Sequence, residues 1–358
     1  MDIVPLLKRM TETPGVSGYE HQVRDVVMEA FGRWADEVRT DTLGNVIALK
    51  KGTGDEPRPS IMLATHMDEI GLMVSALEKG FLHFRQVGGY DDRVLLGQEV
   101  MVHGRRDLPG IIGGRPPHVL PAAERKKPIP HDKLLIDVGL SPEEVEAQVR
   151  VGDLVTMKRS TVTLEGDLVS GKAMDNRASV AAAAVCLEEL AGRRHQWDVH
   201  AVATVQEEVG LKGAITSAYG LQPDLGIAID VTFAKQPGTP GEQTFELGKG
   251  PTIGCGPNFH PKLQEALVAA AKGLEMDHQI EPAARVGGTD AVALQISRAG
   301  IPTGLLSIPL RSMHTPIETV SVKDVERVGR LLAAFIAGLD DKFMETLVWD
   351  LGLDADEE

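Results

Sequence analysis

Apolar side chains recur at three- and four-residue spacing over residues 3–12 and 19–32, the signature of two amphipathic helices. Val46-Ile47-Ala48-Leu49 and Ile61-Met62-Leu63-Ala64 form short unbroken apolar runs instead, which predict strands buried on both faces. His66 follows the second run and so stands at the carboxyl end of a strand, where open α/β sheets gather their ligands. From about residue 71 to 166 the texture changes. Short strand-like pieces such as Gln98 to His103 alternate with glycine turns, long helical periodicity is missing, and a polar, proline-bearing stretch runs from Arg115 to Lys133. After Gly171 the helix and strand rhythm resumes, with helices expected near 176–190, 213–219, 261–274, 289–299 and 322–338 and strands at 199–205 and 225–231. The pattern predicts an α/β fold whose sheet is covered on both faces, with an inserted small β-rich domain. The boundaries are 1–70 and 167–358 for the main domain and 71–166 for the insertion. The acidic end, Asp350 to Glu358, is expected as a solvated tail.

Composition narrows the function. At 358 residues the chain exceeds what one core usually supports, in keeping with a domain and an insertion. Hydrophobic content of 42%, charged content of 25% and a mean hydropathy of −0.07 are those of a soluble globular protein. Aromatics at 4% leave the interior to aliphatic side chains. A formal charge of −15 argues against nucleic acid as a partner, which needs basic patches, and suits cationic or zwitterionic small substrates. Cys186 and Cys255 belong to no CxxC pair and are expected as reduced thiols, one of them buried. The amino terminus lacks a basic stretch followed by an apolar block, and no apolar run approaches membrane-spanning length. The expectation is a cytoplasmic enzyme with no membrane association.

Against that background five side chains stand out: His66, Asp175, Glu208, Asp230 and His314. Imidazole and carboxylate donors of this kind suit zinc, cobalt or manganese, and one carboxylate can bridge two metals held ~3.5–4 Å apart. Asp175 is the natural bridge. A metal pair needs a proton carrier, and Glu207, adjacent to Glu208 after an apolar strand, is the best candidate for a general base. Asp68 lies two residues beyond His66, on the same side of an extended segment, where it could orient the imidazole. Of the 11 histidines only His66 and His314 have supporting neighbours; His118 and His131 are read as ordinary polar residues. Gly287-Gly288-Thr289-Asp290-Ala291 is a turn whose Thr289 or Asp290 would cap a helix, or else a place where backbone donors meet substrate. Gly15-Val16-Ser17-Gly18 is no phosphate loop, since it lacks the Lys-Ser/Thr ending.

Ser17-Gly18-Tyr19-Glu20, His66-Met67-Asp68-Glu69-Ile70-Gly71, Lys172-Ala173-Met174-Asp175-Asn176-Arg177, Glu207-Glu208-Val209-Gly210 and Arg311-Ser312-Met313-His314 also carry a resemblance. Over nearly its full length the chain resembles the tetrahedral aminopeptidases, two-metal exopeptidases related to glutamyl and deblocking aminopeptidases and to proteins once labelled endoglucanases. The resemblance implies a zinc-exopeptidase-like fold with a mixed central sheet flanked by helices. It implies one metal on His66 and Asp230, a second on Glu208 and His314, and Asp175 shared, with Glu207 as base and acid and Asp68 supporting the imidazole. Ser312 departs from the bulkier residue of many relatives. The insertion would contribute to oligomer contacts, and the assembly would be a homododecamer built from dimers. Substrates would be short peptides with a free amino terminus, trimmed one residue at a time.

Three other readings share parts of this pattern. A metal-dependent deacylase of N-acyl amino acids would use the same chemistry. A glycosidase built on paired carboxylates leaves both histidines unexplained. A catalytically silent assembly or binding protein would have no need of the complete set of ligands and base.

Overall fold

The computed structural model describes the chain except residues 120, 123–126, 240, 286 and 348–358, so the acidic tail lies outside the described residues. Two helices open it, α1 (Ile3–Glu12) and α2 (His21–Gly32), followed by strands β1 (Glu37–Thr40), β2 (Val46–Lys50) and β3 (Ser60–His66). Asp2 caps α1 by accepting from the Val4 amide, and the helix buries Ile3, Leu7 and Met10 on one stripe.

The insertion is a closed barrel. Its strands are β4 (Gly71–Glu78), β5 (Phe81–Val87), β6 (Glu99–His103), β7 (Asp107–Gly113), β8 (Leu135–Asp137) and β9 (Leu154–Met157), joined in the order β4-β5-β8-β7-β6-β9. Between them lie the short helices α3 (Asp92–Leu95) and α4 (Pro142–Gln148). Closure removes exposed strand edges and lets alternate residues such as Val100, Val102, Leu108 and Ile112 fill a core separate from the rest of the chain. His131, in the polar stretch before β8, faces Asp92 through Nδ1 at 3.1 Å.

The main domain continues with β10 (Val162–Leu164), β11 (Leu168–Gly171), α5 (Met174–Ala191), β12 (Asp198–Thr204), α6 (Lys212–Leu221) and β13 (Leu225–Phe233). It ends with β14 (Thr252–Cys255), α7 (Pro261–Gly273), β15 (Gln279–Pro282), α8 (Asp290–Gln295), β16 (Thr303–Arg311), β17 (Glu318–Ser321) and α9 (Val322–Ala337). Among the described residues the main sheet has 11 strands in the order β1-β2-β12-β3-β13-β16-β17-β11-β10, with β14 on β16 and β15 on β14. Strands β12, β3, β13 and β16 run parallel, the pairings that flank them are antiparallel and β15 is parallel to β14 at one edge, so the sheet is mixed.

Alternation in β3 explains the unbroken apolar run: Ile61 and Leu63 join the core under α1, α2, α5, α7 and α9, whereas Met62 and Ala64 face α6 and α8. Helix α5, with Ala181 to Ala184 at its centre, is buried nearly all round and packs against α9. Two expectations need correction. Helix α8 stops at Gln295 rather than 299, because the chain must turn at Gly300 to enter β16. Strand β13 runs to Phe233, paired with Leu310, so Asp230 lies inside the strand and not at its end. Cys186 is buried and Cys255 only partly so, both as free thiols. Among the described residues no helix is long and apolar enough to cross a membrane.

The segment between α1 and α2 lies over the carboxyl ends of the parallel strands. Its Ser17 amide donates to the Glu69 carbonyl, and the Glu69 amide to the Gly15 carbonyl. Glu20 accepts from the amides of Gly18 at 2.6 Å and Gln206 at 3.1 Å, tying this segment to the turn after β12. Burial pushes the Glu20 carboxyl up to about 7.

Two predictions follow from these contacts. A Cβ on Gly329 of α9 would meet the Ala182 carbonyl oxygen at 2.5 Å and Val185 Cβ at 2.6 Å. Gly329→Ala should therefore lower stability by about 1–3 kcal/mol in urea denaturation despite its better helix propensity; an unchanged midpoint would contradict the close helix contact. For Glu20 the folded pKa lies above the unfolded one, so the folded state binds the extra proton and stability declines as pH rises between about 4.5 and 7. Glu20→Gln lacks this titration, and its stability relative to the parent should rise by about 3 kcal/mol between pH 4.5 and 8. A difference that does not vary with pH would refute it.

Candidate metal centre

Asp230 stands inside β13, and the other candidate side chains are set by a strand end or by a constrained turn. His66 closes β3, and the amide of Met67 still pairs with the Thr204 carbonyl of β12 at 2.9 Å. After β12, Gln206 adopts φ of 56°, a left-handed conformation costly for a side-chain-bearing residue, and so turns Glu207 and Glu208 inward. Asp68 fixes that turn from below. It is fully buried and accepts from the amides of Glu207 at 3.1 Å and Glu208 at 3.2 Å and from the Ser17 hydroxyl at 2.6 Å. The entry to α5 uses a second left-handed residue, Ala173 at φ 55°, and His314 itself sits at φ 58°. Glu318 in β17 joins these two places by accepting from the amides of Asp175 at 3.0 Å and His314 at 2.7 Å.

The six side chains converge. His66 Nε2 lies 3.1 Å from Asp175 Oδ1, 3.8 Å from Glu207 Oε2 and 3.9 Å from Asp230 Oδ1. His314 Nε2 lies 3.4 Å from Asp175 Oδ2 and 3.5 Å from Glu208 Oε1. The two oxygens of Asp175 thus face different imidazoles. Two triads, His66 with Glu207 and Asp230 and His66 with Asp175 and Glu208, have ligand atoms within 4.8 Å of one another. All six residues line one cavity of about 520 Å³. Asp68 Oδ1 is 3.5 Å from His66 Nδ1, on the ring face away from the cluster.

Electrostatics shows what the cluster lacks. Burial drives the Glu207 carboxyl far above its ordinary range, and Asp230, Asp290 and Glu208 push it further while His66 opposes. Burial likewise raises Glu208, with Asp175 adding to it, and Asp230. In Asp175 burial is overcome by hydrogen bonds from His314 and His66, which hold it below the usual carboxylate range. The bond to Asp175 carries His314 up to about 9. Burial by itself would lower His66, but the surrounding carboxylates, Glu207 foremost, raise it. So many buried carboxylates cannot all ionise without more positive charge than two imidazoles provide. Glu207 Oε1 is buried with no hydrogen-bond partner among the described residues. Oxygen and imidazole donors in this proportion fit divalent ions of the zinc, cobalt or manganese kind.

The glycine turn is also corrected. Thr289 occupies the cap position of α8 but its side chain makes no capping bond. Asp290 turns inward to accept from the Thr204 hydroxyl at 2.6 Å, and burial raises its carboxyl to about 6. Gly287, Gly288 and Thr289 line the cavity. Sequence reasoning assigned no role to Glu318, Ser17 or Glu20. Their significance lies in which amides and carboxylates they meet, and only the bare presence of acidic residues in apolar surroundings hinted at it.

Comparison with known proteins gives the family of the chain. A family model described as M42 glutamyl aminopeptidase matches residues 44–331. The chain is 38% identical over 340 residues to a lysyl aminopeptidase of Pyrococcus furiosus, covering 93% of this chain and 96% of that one. The crystal structure of a TET aminopeptidase from the marine sediment archaeon Thaumarchaeota archaeon SCGC AB-539-E09 superposes with a TM-score of 0.90 at 35% identity, covering 97% of this chain and all of that one. The Pyrococcus horikoshii TET1 peptidase, which can assemble into a tetrahedron or a large octahedral shell, superposes with a TM-score of 0.82 at 34% identity over 94% of this chain and 100% of its own. The match of the family model to most of the chain, and of relatives to nearly all of it, shows that the chain belongs to the M42 family of metal-dependent aminopeptidases.

Proposed function

We propose that this aminopeptidase removes residues from the free amino ends of short peptides with two divalent metals, Glu207 acting as general base and then general acid. The observation that carries the reading is Asp175, whose two carboxylate oxygens each face a different imidazole. His66 and Asp230 would hold one ion, Glu208 and His314 the other, and Asp175 both, with zinc or cobalt first and manganese as a further choice. When bound, such a pair supplies a water acidic enough to ionise near neutral pH and polarises the scissile carbonyl.

The chain's own groups do the rest. Glu207 Oε1, buried and unpartnered, would accept the proton of the attacking water and return it to the leaving amide nitrogen. Asp68 would set the attitude of Glu207 by gripping its amide, and that of His66 from the Nδ1 side. Glu318 would fix Asp175 and His314 relative to each other by holding both amides. A free amino group on the substrate suits the excess of carboxylates at the cavity floor. The division into a catalytic domain, 1–70 and 167–358, and a β-rich insertion at 71–166 that contributes to subunit contacts belongs to the same proposal, with the difference that the barrel strands end at Met157 and β10 (Val162–Leu164) pairs with β11 of the main sheet. So do a homododecamer like the tetrahedral assembly of the Pyrococcus horikoshii TET1 peptidase and a cytoplasmic location.

Exhaustive chelation should abolish hydrolysis of aminoacyl substrates, and zinc, cobalt or manganese should restore it; a fully active metal-free protein would overturn the mechanism. Glu207→Gln should lower kcat by about 10³-fold while the protein still binds two metals by elemental analysis. Activity within a few-fold of the parent would remove Glu207 from the proton-transfer role.

A further inference from the structure

Beyond the six clustered groups, the cavity has a second chemical feature. Its walls include the apolar side chains of Phe233, Phe245, Phe259, Val292, Leu305 and Met313, and among them stands one further carboxylate, Glu281 of β15. Glu281 accepts from the Thr232 hydroxyl at 2.7 Å through Oε1 and from the Thr252 hydroxyl at 2.5 Å through Oε2. Both threonines are buried. Two hydroxyl donors fix the carboxylate and leave each oxygen further acceptor capacity, since a carboxylate offers about four lone-pair sites. Among the described residues no Lys, Arg or His pairs with it.

Sheet register measures its separation from the cluster. Thr232 and Asp230 are two residues apart on β13 and therefore share a face, about 7 Å apart along the strand. Across the sheet, Asp230 is opposite Ser307 of β16, and Ser307 is opposite Thr252 of β14. Glu281 bridges Thr232 and Thr252, so its carboxylate stands over β16, between them and one side-chain length from Asp230. A lysine side chain spans roughly 6 Å from Cα to its ammonium group, given bonds near 1.5 Å. An amino-terminal residue whose backbone lies at the cluster thus has room to run its aliphatic stem along the apolar walls and end at Glu281.

We propose that Glu281 makes this cavity select peptides that begin with lysine or arginine. The inference rests on the aminopeptidase reading of the same site and adds its substrate class. Apolar walls accept the hydrocarbon stem, and the carboxylate accepts hydrogen bonds from the ammonium or guanidinium head. A leucine side chain fills the walls but leaves Glu281 without a cation, and an amino-terminal glutamate sets two carboxylates against each other. A site built around an acceptor discriminates strongly against a residue that brings no donor.

The test compares kcat/KM of the metal-loaded protein on matched dipeptides that begin with lysine, arginine, leucine or glutamate. Calorimetric binding of L-lysine and L-norleucine runs beside it and reads the cavity without turnover. The expected result is a preference for the basic residues over leucine on the order of ten- to a hundredfold, with glutamate poorest. In Glu281→Gln the lysine-to-leucine ratio should fall by at least about tenfold, and Glu281→Asp should retain part of it. Metal content and thermal unfolding of each variant establish that the cavity is intact. An unchanged ratio in Glu281→Gln, or norleucine binding as tightly as lysine, overturns the proposal. If no dipeptide is cleaved at all, the peptidase reading fails, and the lysine and norleucine comparison still decides the character of the cavity.

Discussion

Buried carboxylates crowded into one cavity repel one another, and that repulsion governs much of this structure. Glu207, Glu208 and Asp230 are each forced toward protonation by burial and by their neighbours, while Asp175 remains strongly acidic only because two imidazoles face it. Such a cluster costs the fold stability unless positive charge enters it. The arrangement is therefore intelligible as a receptor for cations. The ammonium group of a substrate amino terminus would meet the same excess of negative charge.

Around that cluster the chain uses more carboxylates, but as anchors. Asp68 holds the amides of Glu207 and Glu208, Glu318 those of Asp175 and His314, and Glu20 those of Gly18 and Gln206. Each group bonds to backbone, so it fixes where the next side chain starts. Behind them Glu69 is neutralised by Lys172 and Arg177, all three buried, and Arg177 also donates to the carbonyls of Met10, Thr13 and Met67. One guanidinium thereby links the end of α1, the segment after β3 and the start of α5. The left-handed residues Ala173, Gln206 and His314 lie beside these anchors, where surrounding bonds hold a conformation the local sequence would not choose.

The parallel strands at the centre of the sheet explain why residues so far apart in sequence meet. Strands β3, β12 and β13 all direct their carboxyl ends to one side, and the covering helices return the chain to the other. Residues 66, 207 and 230 then need only short excursions to face one another, and β17 with its preceding turn brings His314 from the far side. The cavity wall has a different origin. It includes residues of β13, β15 and β16 and the turn before α8, and because β14 joins β15 to β16 the clustered carboxylates and Glu281 lie on one continuous sheet.

Much of this was legible along the chain. The helices over residues 3–12, 261–273 and 322–337 and the buried strands at 46–50 and 60–66 follow from local periodicity, because each buries its own apolar face whatever the partner. The positions of His66, Glu207, Glu208 and Asp230 could be singled out as donor types after or within apolar strands, and those of Asp175 and His314 by residue type and by the phrases that carry the family resemblance. What sequence periodicity could not supply is whatever depends on pairing between strands. The barrel closes through short strands whose partners are remote, and β14, β15 and β17 carry too few residues to announce themselves. Thr289 has the chemistry of a cap, yet its neighbour Asp290 is drawn inward by Thr204, a residue 86 positions away. Glu318 and Glu281 look in sequence like any glutamate. Their roles come from cross-strand register, a property of the folded sheet that no single segment encodes, so the sequence determined the elements and the donor types and only the tertiary structure decided which carboxylate faces which partner.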